Sequence, residues 1–160
     1  MNSVPITINR RQYLELQNIA DGVFAPLSGF MNQDEFESVV QTKRLPGGNP
    51  FPLPVVLDLT CEEVRKVQCS DTVPLAFEGT HVGELTPQSC FTFDKPSVAE
   101  HIFGTAEEGH PGVAHFLAMG HWFVGGPIRL ERRLAFELPE YEFTPAESRR
   151  YFAQKSWRTV

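Results

Sequence analysis

Cysteine is scarce in this chain and poorly spaced for chemistry. Cys61, Cys69 and Cys90 make an odd total of 3 with no C-x-x-C pair, which excludes a disulfide framework and argues against a thiolate zinc site. No base lies beside Cys69 or Cys90 in sequence, so neither reads as an acidified nucleophile. No apolar run approaches the roughly 18 residues of a membrane span, and no signal peptide opens the chain. The expectation is a reduced, cytoplasmic protein. Positive charge is also short, with 14 Lys and Arg against 20 Asp and Glu and a net charge of −6. That balance opposes a generic binder of nucleic-acid phosphates, whose affinity comes from clustered cations. Gly47-Gly48 lacks the following Lys-Ser/Thr and the helix start of a phosphate cradle.

A length of 160 residues fits one domain. Its 13 Phe outnumber 3 Tyr and 2 Trp, which predicts a dry, bulky core, and 13 Pro with 12 Gly predict many short elements. Val4 to Ile8 alternates like a short edge strand. Asn9 caps a predicted helix over Arg10 to Ala20, with Tyr13, Leu14, Leu16, Ile19 and Ala20 as its apolar stripe and Gly22 ending it. In the turn that follows, Pro26 fixes the bend and Gly29 permits a positive φ, so Phe24, Leu27, Phe30 and Met31 can point inward. Asn32 with Glu35 and Thr60 with Glu63 are capping-box starts of two short helices, and Val55 to Leu59 reads as a buried strand. Val73 to Phe77 and His81 to Leu85 flank a hairpin turn. Phe91 and Phe93 alternate in a further strand, and Asp94 to Phe103 holds a helix with Val98, Ile102 and Phe103 inward. Ile128, Leu130, Leu134, Phe136 and Leu138 share a period-2 face and form the clearest predicted strand, with Arg129, Glu131, Arg133 and Glu137 opposite. Thr144, Pro145 and Glu147 start a terminal helix, with Tyr151 and Phe152 inward and Arg149, Arg150 and Lys155 outward.

The densest signal is Phe103 to Ile128, where glycines and a proline pin turns before sheet resumes. Its histidines, His110, His115 and His121, share no helical face and lack a completing Cys or carboxylate, so they do not read as a metal set. His110 is expected to hydrogen-bond the Pro111-Gly112 turn, and His115 and His121 to be partly exposed. Asp21, Glu107 and Glu108 act as general acids or bases only if folding gathers them. Trp122 and Trp157 read as packing anchors. Half of the 14 basic residues are Arg129, Arg132, Arg133, Arg149, Arg150, Lys155 and Arg158, a basic C-terminal segment read as solvated faces. The whole pattern suggests a mainly β, α+β domain with several short helices: a small folded sheet or pseudo-barrel.

Five segments taken in order carry a resemblance. They are Gly22-x-Phe24-Ala25-Pro26-Leu27-x-Gly29-Phe30-Met31; Arg44-Leu45-Pro46-Gly47 through Pro52-Leu53-Pro54 and Leu57-Asp58; Phe103-Gly104-Thr105 with His110-Pro111-Gly112-Val113; Val124-Gly125-Gly126; and Thr144-Pro145-Ala146-Glu147 with Arg149, Phe152 and Trp157. Together they resemble the N-terminal domain of ATP sulfurylase (sulfate adenylyltransferase). Ala25 stands where the family usually has Ser, and Glu107-Glu108-Gly109 departs from its usual lead-in to His110. The resemblance implies a PUA-like pseudo-barrel spanning 1–160 as one domain. It also implies a following nucleotidyltransferase domain that binds ATP and sulfate and makes adenylyl sulfate and pyrophosphate. That domain's Gln-Thr-Arg-Asn and His-x-x-His segments do not occur in this sequence, so no catalytic, cofactor or metal residue carries over.

The implied role is to brace the catalytic domain and form contacts between subunits of a homo-oligomer. Arg149, Tyr151, Phe152 and Trp157 are the expected interface. The alternative is a stand-alone PUA-like module for RNA or another anionic ligand, which the acidic balance opposes.

Overall fold

The computed structural model describes residues 4–68 and 70–159; Cys69 lies outside the described residues. In chain order these form β1 (Ile6–Thr7), α1 (Arg10–Ala20), β2 (Gly29–Phe30), α2 (Gln33–Thr42), β3 (Leu57–Leu59), α3 (Cys61–Gln68) and β4 (Val73–Phe77). Then come β5 (Thr80–Leu85), β6 (Ser89–Phe91), α4 (Lys95–Phe103), α5 (Pro111–Ala118), β7 (Trp122–Leu130), a 3₁₀ turn at Pro139–Tyr141 and α6 (Pro145–Gln154). The elements are short, as the proline and glycine content predicts. Together they are the α+β pseudo-barrel expected from the sequence: a curled mixed sheet carrying six short helices.

The sheet is organised on β7, with which β2, β3, β5 and β6 all pair antiparallel. Val124 faces Leu57 on one edge and Cys90 on the other, so both edges of β7 are used and neither is left open. The path β1-β4-β5 extends the sheet, β1 lying parallel to β4. The β4–β5 hairpin turns on Glu78-Gly79, both at positive φ, the pairing geometry that a two-residue turn requires.

Glycine sets how closely strands approach β7. A Cβ on Gly29 would collide with the Gly126 carbonyl, and one on Gly125 with the Met31 carbonyl and the Asn32 backbone. Gly29 does not use the positive φ that glycine permits. It has ordinary φ, and its constraint is close backbone contact with β7. Helix starts follow the sequence closely. Asn9 with Gln12, and Asn32 with Glu35, form reciprocal capping boxes, and Thr60 with Glu63 exchanges the same bonds.

Two aromatic groups fill the core. Phe123 lies 4.4 Å from Phe93 and 5.6 Å from Phe36, ring centre to ring centre. Tyr13 stacks on Phe77 at 4.6 Å and meets Phe136 edge-on at 5.8 Å. The Tyr13 hydroxyl accepts from Gln17 Nε2 at 2.9 Å and from the Leu134 amide at 2.7 Å. Tyr13→Phe strands both donors and is expected to cost about 1–3 kcal/mol, read from urea unfolding.

Several expectations are corrected. The clearest predicted strand, 128–138, ends at Leu130. There the amides of Glu131 and Arg132 both donate to the Val82 carbonyl, at 2.8 and 3.0 Å, so the ladder loses its register. The chain leaves the sheet to pack Leu134 and Phe136 on the core, while Leu138 is exposed. Sheet instead begins earlier, at Trp122, and Pro111–Ala118 is a helix that the glycine-rich reading did not anticipate. Leu14 and Ala20 fall off the buried stripe of α1, which is Gln12, Tyr13, Leu16, Gln17 and Ile19. The strand expected from Val55 covers only Leu57–Leu59, and Phe93 lies past the end of β6. On α4 the buried residues are Lys95 and Ala99, with Val98, Ile102 and Phe103 only partly covered.

Candidate interface and ligand cleft

Helix α6 forms through its own local chemistry. The Thr144 hydroxyl and amide donate to Glu147 Oε2 at 2.7 and 2.8 Å, and the Glu147 amide donates back to Thr144 Oγ1 at 3.2 Å. These bonds hold the Glu147 carboxyl below its usual range. Tyr151 does not point inward as expected, and no residue of α6 is buried. The helix stabilises itself, and its aromatics meet each other instead of the core. Phe152 and Trp157 stack at 5.9 Å, Tyr151 meets Trp157 edge-on at 5.8 Å, and Lys155 Nζ sits 5.5 Å over the Tyr151 ring. Trp157 is 52% exposed, so it anchors no core. Leu138, Tyr141 and Phe143 are exposed in the same part of the chain, and sequence reading missed them. These side chains leave a stretch of exposed apolar area at this end of the chain.

The stretch 103–128 holds the end of α4, α5 and most of β7. His110 Nδ1 accepts from the Gly112 amide at 3.1 Å and from the Val113 amide at 3.4 Å, capping α5. That fulfils the expected turn bond, inside a helix start. The far end of α5 is held by Lys95, buried, whose ammonium donates to the Leu117 carbonyl at 2.9 Å and to the Met119 carbonyl. His115 and His121 are exposed, and the one cluster of metal-ligating groups found among the described residues includes none of the three histidines. Glu107 and Glu108 are exposed too, and Asp21 pairs with Arg133. Burial pushes the Cys90 thiol up, which opposes thiolate chemistry.

Elsewhere His81, Glu84 and Glu131 have ligand atoms within 4.8 Å of one another. Arg129 already pairs with both carboxylates, and His81 Nε2 lies 2.6 Å from Glu131 Oε2. In this surface network Arg129 is shared by the two carboxylates.

A cleft lies between α1, the segment 53–58 and α5. Asp58 Oδ1 accepts from Gln12 Nε2 at 2.7 Å, and Oδ2 accepts from the Gly120 amide at 2.6 Å, so this carboxylate ties α1 to the approach to β7. Beside it, Arg11 Nε donates to Glu15 Oε1 at 3.2 Å. Two hollows share Arg11, Val56, His115 and Met119. One, of about 140 Å³, is lined by Glu15 and Asp58; the other, of about 240 Å³, is lined by Leu53, Ile102, Phe103 and Phe116. Burial raises the Glu15 carboxyl above its ordinary value against the pull of Arg11. Burial and Arg11 together lower His115. No local motif marks this cleft, because its residues come from three separated segments.

The raised Glu15 carboxyl has a sign. The folded chain holds this proton more tightly than the unfolded one, so the stability it contributes is present below the unfolded carboxyl's pKa. That stability is lost as pH rises through the folded value. Glu15→Gln is expected to flatten stability against pH across that window, measured by urea midpoints at several pH values.

Comparison with known proteins matches residues 2–133 to the model of the PUA-like domain. The sulfate adenylyltransferase of Pyrococcus abyssi is 34% identical over 155 residues, covering 97% of this chain and 40% of the relative. That of Trichodesmium erythraeum is 36% identical over 157 residues, again covering 97% and 40%. The chain thus spans about two fifths of the length of these relatives. Among solved structures, a hexameric APS kinase from Thiobacillus denitrificans superposes with a TM-score of 0.68 at 21% identity, over 98% of this chain and 27% of that one; the likeness is one of fold. None of the described helices is long and apolar enough to cross a membrane. With most of its length matched and the curled sheet in place, the chain belongs to the PUA-like domain family.

Proposed function

We propose that this chain is the non-catalytic, N-terminal PUA-like domain of a sulfate adenylyltransferase, 1–160 forming one unit. In that enzyme ATP and sulfate give adenylyl sulfate and pyrophosphate. The observation that carries the reading is similarity along 97% of this chain to enzymes of that name, of which it spans only 40%. ATP and sulfate then bind a catalytic domain that this sequence does not contain, and this domain braces it. The exposed Tyr151 and Trp157, the half-buried Phe152 and the exposed Arg149 form the surface that the catalytic domain covers. Contacts between subunits of a homo-oligomer, and a reducing cytoplasm suited to the free Cys61 and Cys90, belong to the same reading.

The chemistry supports a bracing role. Adenylyl transfer needs cationic and hydrogen-bonding groups aimed at phosphate and sulfate oxygens. The well-formed helix start at α6 instead presents Glu147, a carboxylate that repels an anion.

Two assays test this. The purified chain, given adenylyl sulfate and pyrophosphate, is expected to form no ATP above blank; turnover would refute the reading. Fused to the remaining part of the Pyrococcus abyssi enzyme, the chain is expected to restore turnover. Trp157→Ala in that fusion is expected to lower its melting temperature while leaving the melting of the isolated chain unchanged. An inactive fusion, or equal effects in both settings, counts against the interface. The reading as an RNA module would gain if the isolated chain bound single-stranded or duplex RNA at low salt; flat titrations are expected from its net charge of −6.

A further inference from the structure

The cleft beside Asp58 has chemistry that a bracing role leaves unused. Among the described residues, Arg11 donates only through Nε, to Glu15, so its two terminal nitrogens have no protein acceptor, and Arg11 lines both hollows. The Arg11 side chain is half exposed, whereas that of Glu15 is 16% exposed. Each oxygen of Asp58 accepts one bond from a neutral N–H, and a carboxylate oxygen has room for a second. Arg11 and Glu15 cancel in charge, His115 is held toward its neutral form, and the charge of Asp58 remains without a cation of its own. The polar hollow therefore offers a planar donor fork and an uncompensated carboxylate together. The adjoining hollow offers an apolar wall of Leu53, Ile102, Phe103 and Phe116.

A simple anion would meet the charge of Asp58, and a simple cation would leave the terminal nitrogens of Arg11 without an acceptor, so neither uses the whole cleft. A small zwitterion with an apolar body satisfies all three features. We propose that this cleft binds a free α-amino acid with an apolar side chain. Its carboxylate lies on the terminal nitrogens of Arg11, the bidentate geometry that guanidinium favours. Its ammonium donates to Asp58, and its side chain fills the apolar hollow. A pocket that is mostly apolar with a few convergent polar groups is the usual form of a small-molecule site. This inference does not depend on the sulfate-activation reading.

The test is titration of the ¹⁵N-labelled 160-residue chain with L-leucine and with L-phenylalanine, followed by amide shifts. Saturable shifts centred on Arg11, Gly112, His115 and Gly120 are expected for at least one of them. L-leucine methyl ester, lacking the carboxylate, and N-acetyl-L-leucine, lacking the ammonium, are each expected to bind about tenfold more weakly or worse. Arg11→Gln is expected to weaken L-leucine by a similar factor and the methyl ester hardly at all, because the ester has already lost the partner of Arg11. Arg11→Lys should restore part of the affinity. Absence of shifts, shifts centred elsewhere, or equal binding of amino acid and ester would overturn the proposal. The ligand analogues decide it even if a variant folds poorly.

Discussion

Gly125→Ala is expected to abolish cooperative unfolding, leaving a chain with no sharp thermal transition and little near-ultraviolet dichroism. The added methyl would occupy the space of the Met31 carbonyl and the Asn32 backbone. Backbone atoms held by β2 and the α2 capping box cannot rotate aside as a flexible side chain would. Moving them means separating β2 from β7, and β7 is the strand on which four others depend. Costs above about 4 kcal/mol come from such mechanisms and are comparable with the whole stability of a small domain. Gly109→Ala is the control: a Cβ there meets nothing within 4 Å, and its effect is expected within about 0.5 kcal/mol. A folded Gly125→Ala protein with wild-type stability would show that β2 does not lie against β7 as described.

Phe123→Ala is expected to cost about 3–5 kcal/mol, measured as a lowered urea midpoint at unchanged slope. Phe123 is 0% exposed and stands where helix and sheet aromatics converge, with Phe36, Phe91, Phe93 and Phe116 around it. Those rings come from α2, β6, the segment after β6, and α5, so the cavity left behind has walls on several elements that cannot collapse together. Phe123→Leu keeps most of the volume and should cost less, roughly 1.5 kcal/mol or below. A loss for alanine no larger than for leucine would mean that the site closes over the missing ring.

Local chemistry was legible wherever a few adjacent residues decide the outcome. Asn9, Asn32 and Thr144 each start the helix expected of them, because a cap needs only its own oxygen and an amide three residues on. The Glu78-Gly79 hairpin was legible for the same reason. Periodicity failed in the segment 131–138. Alternation says which face is apolar, but a strand also needs a neighbour, and the ladder with β5 runs out at Glu131. Glycine misled in the opposite direction. At Gly125 and Gly126 it was read as turn chemistry, whereas these residues sit inside β7 so that other backbones can come near. His110-Pro111 with Val113 and Phe116 was a readable start for α5, masked by the surrounding glycines.

The amino-acid order by itself determined the short elements, their caps, the phenylalanine core and the series of segments that resembles one enzyme family, because each depends on neighbours within a few positions. Tertiary structure alone decided that β7 is the centre of the sheet and that Tyr151 and Trp157 stand uncovered. It also decided that Arg11, Glu15, Asp58 and His115 share one cleft. The physical reason is distance along the chain. The Gln12–Asp58 and Asp58–Gly120 bonds join residues 46 and 62 positions apart, and no local pattern of polarity encodes which remote segment will arrive opposite.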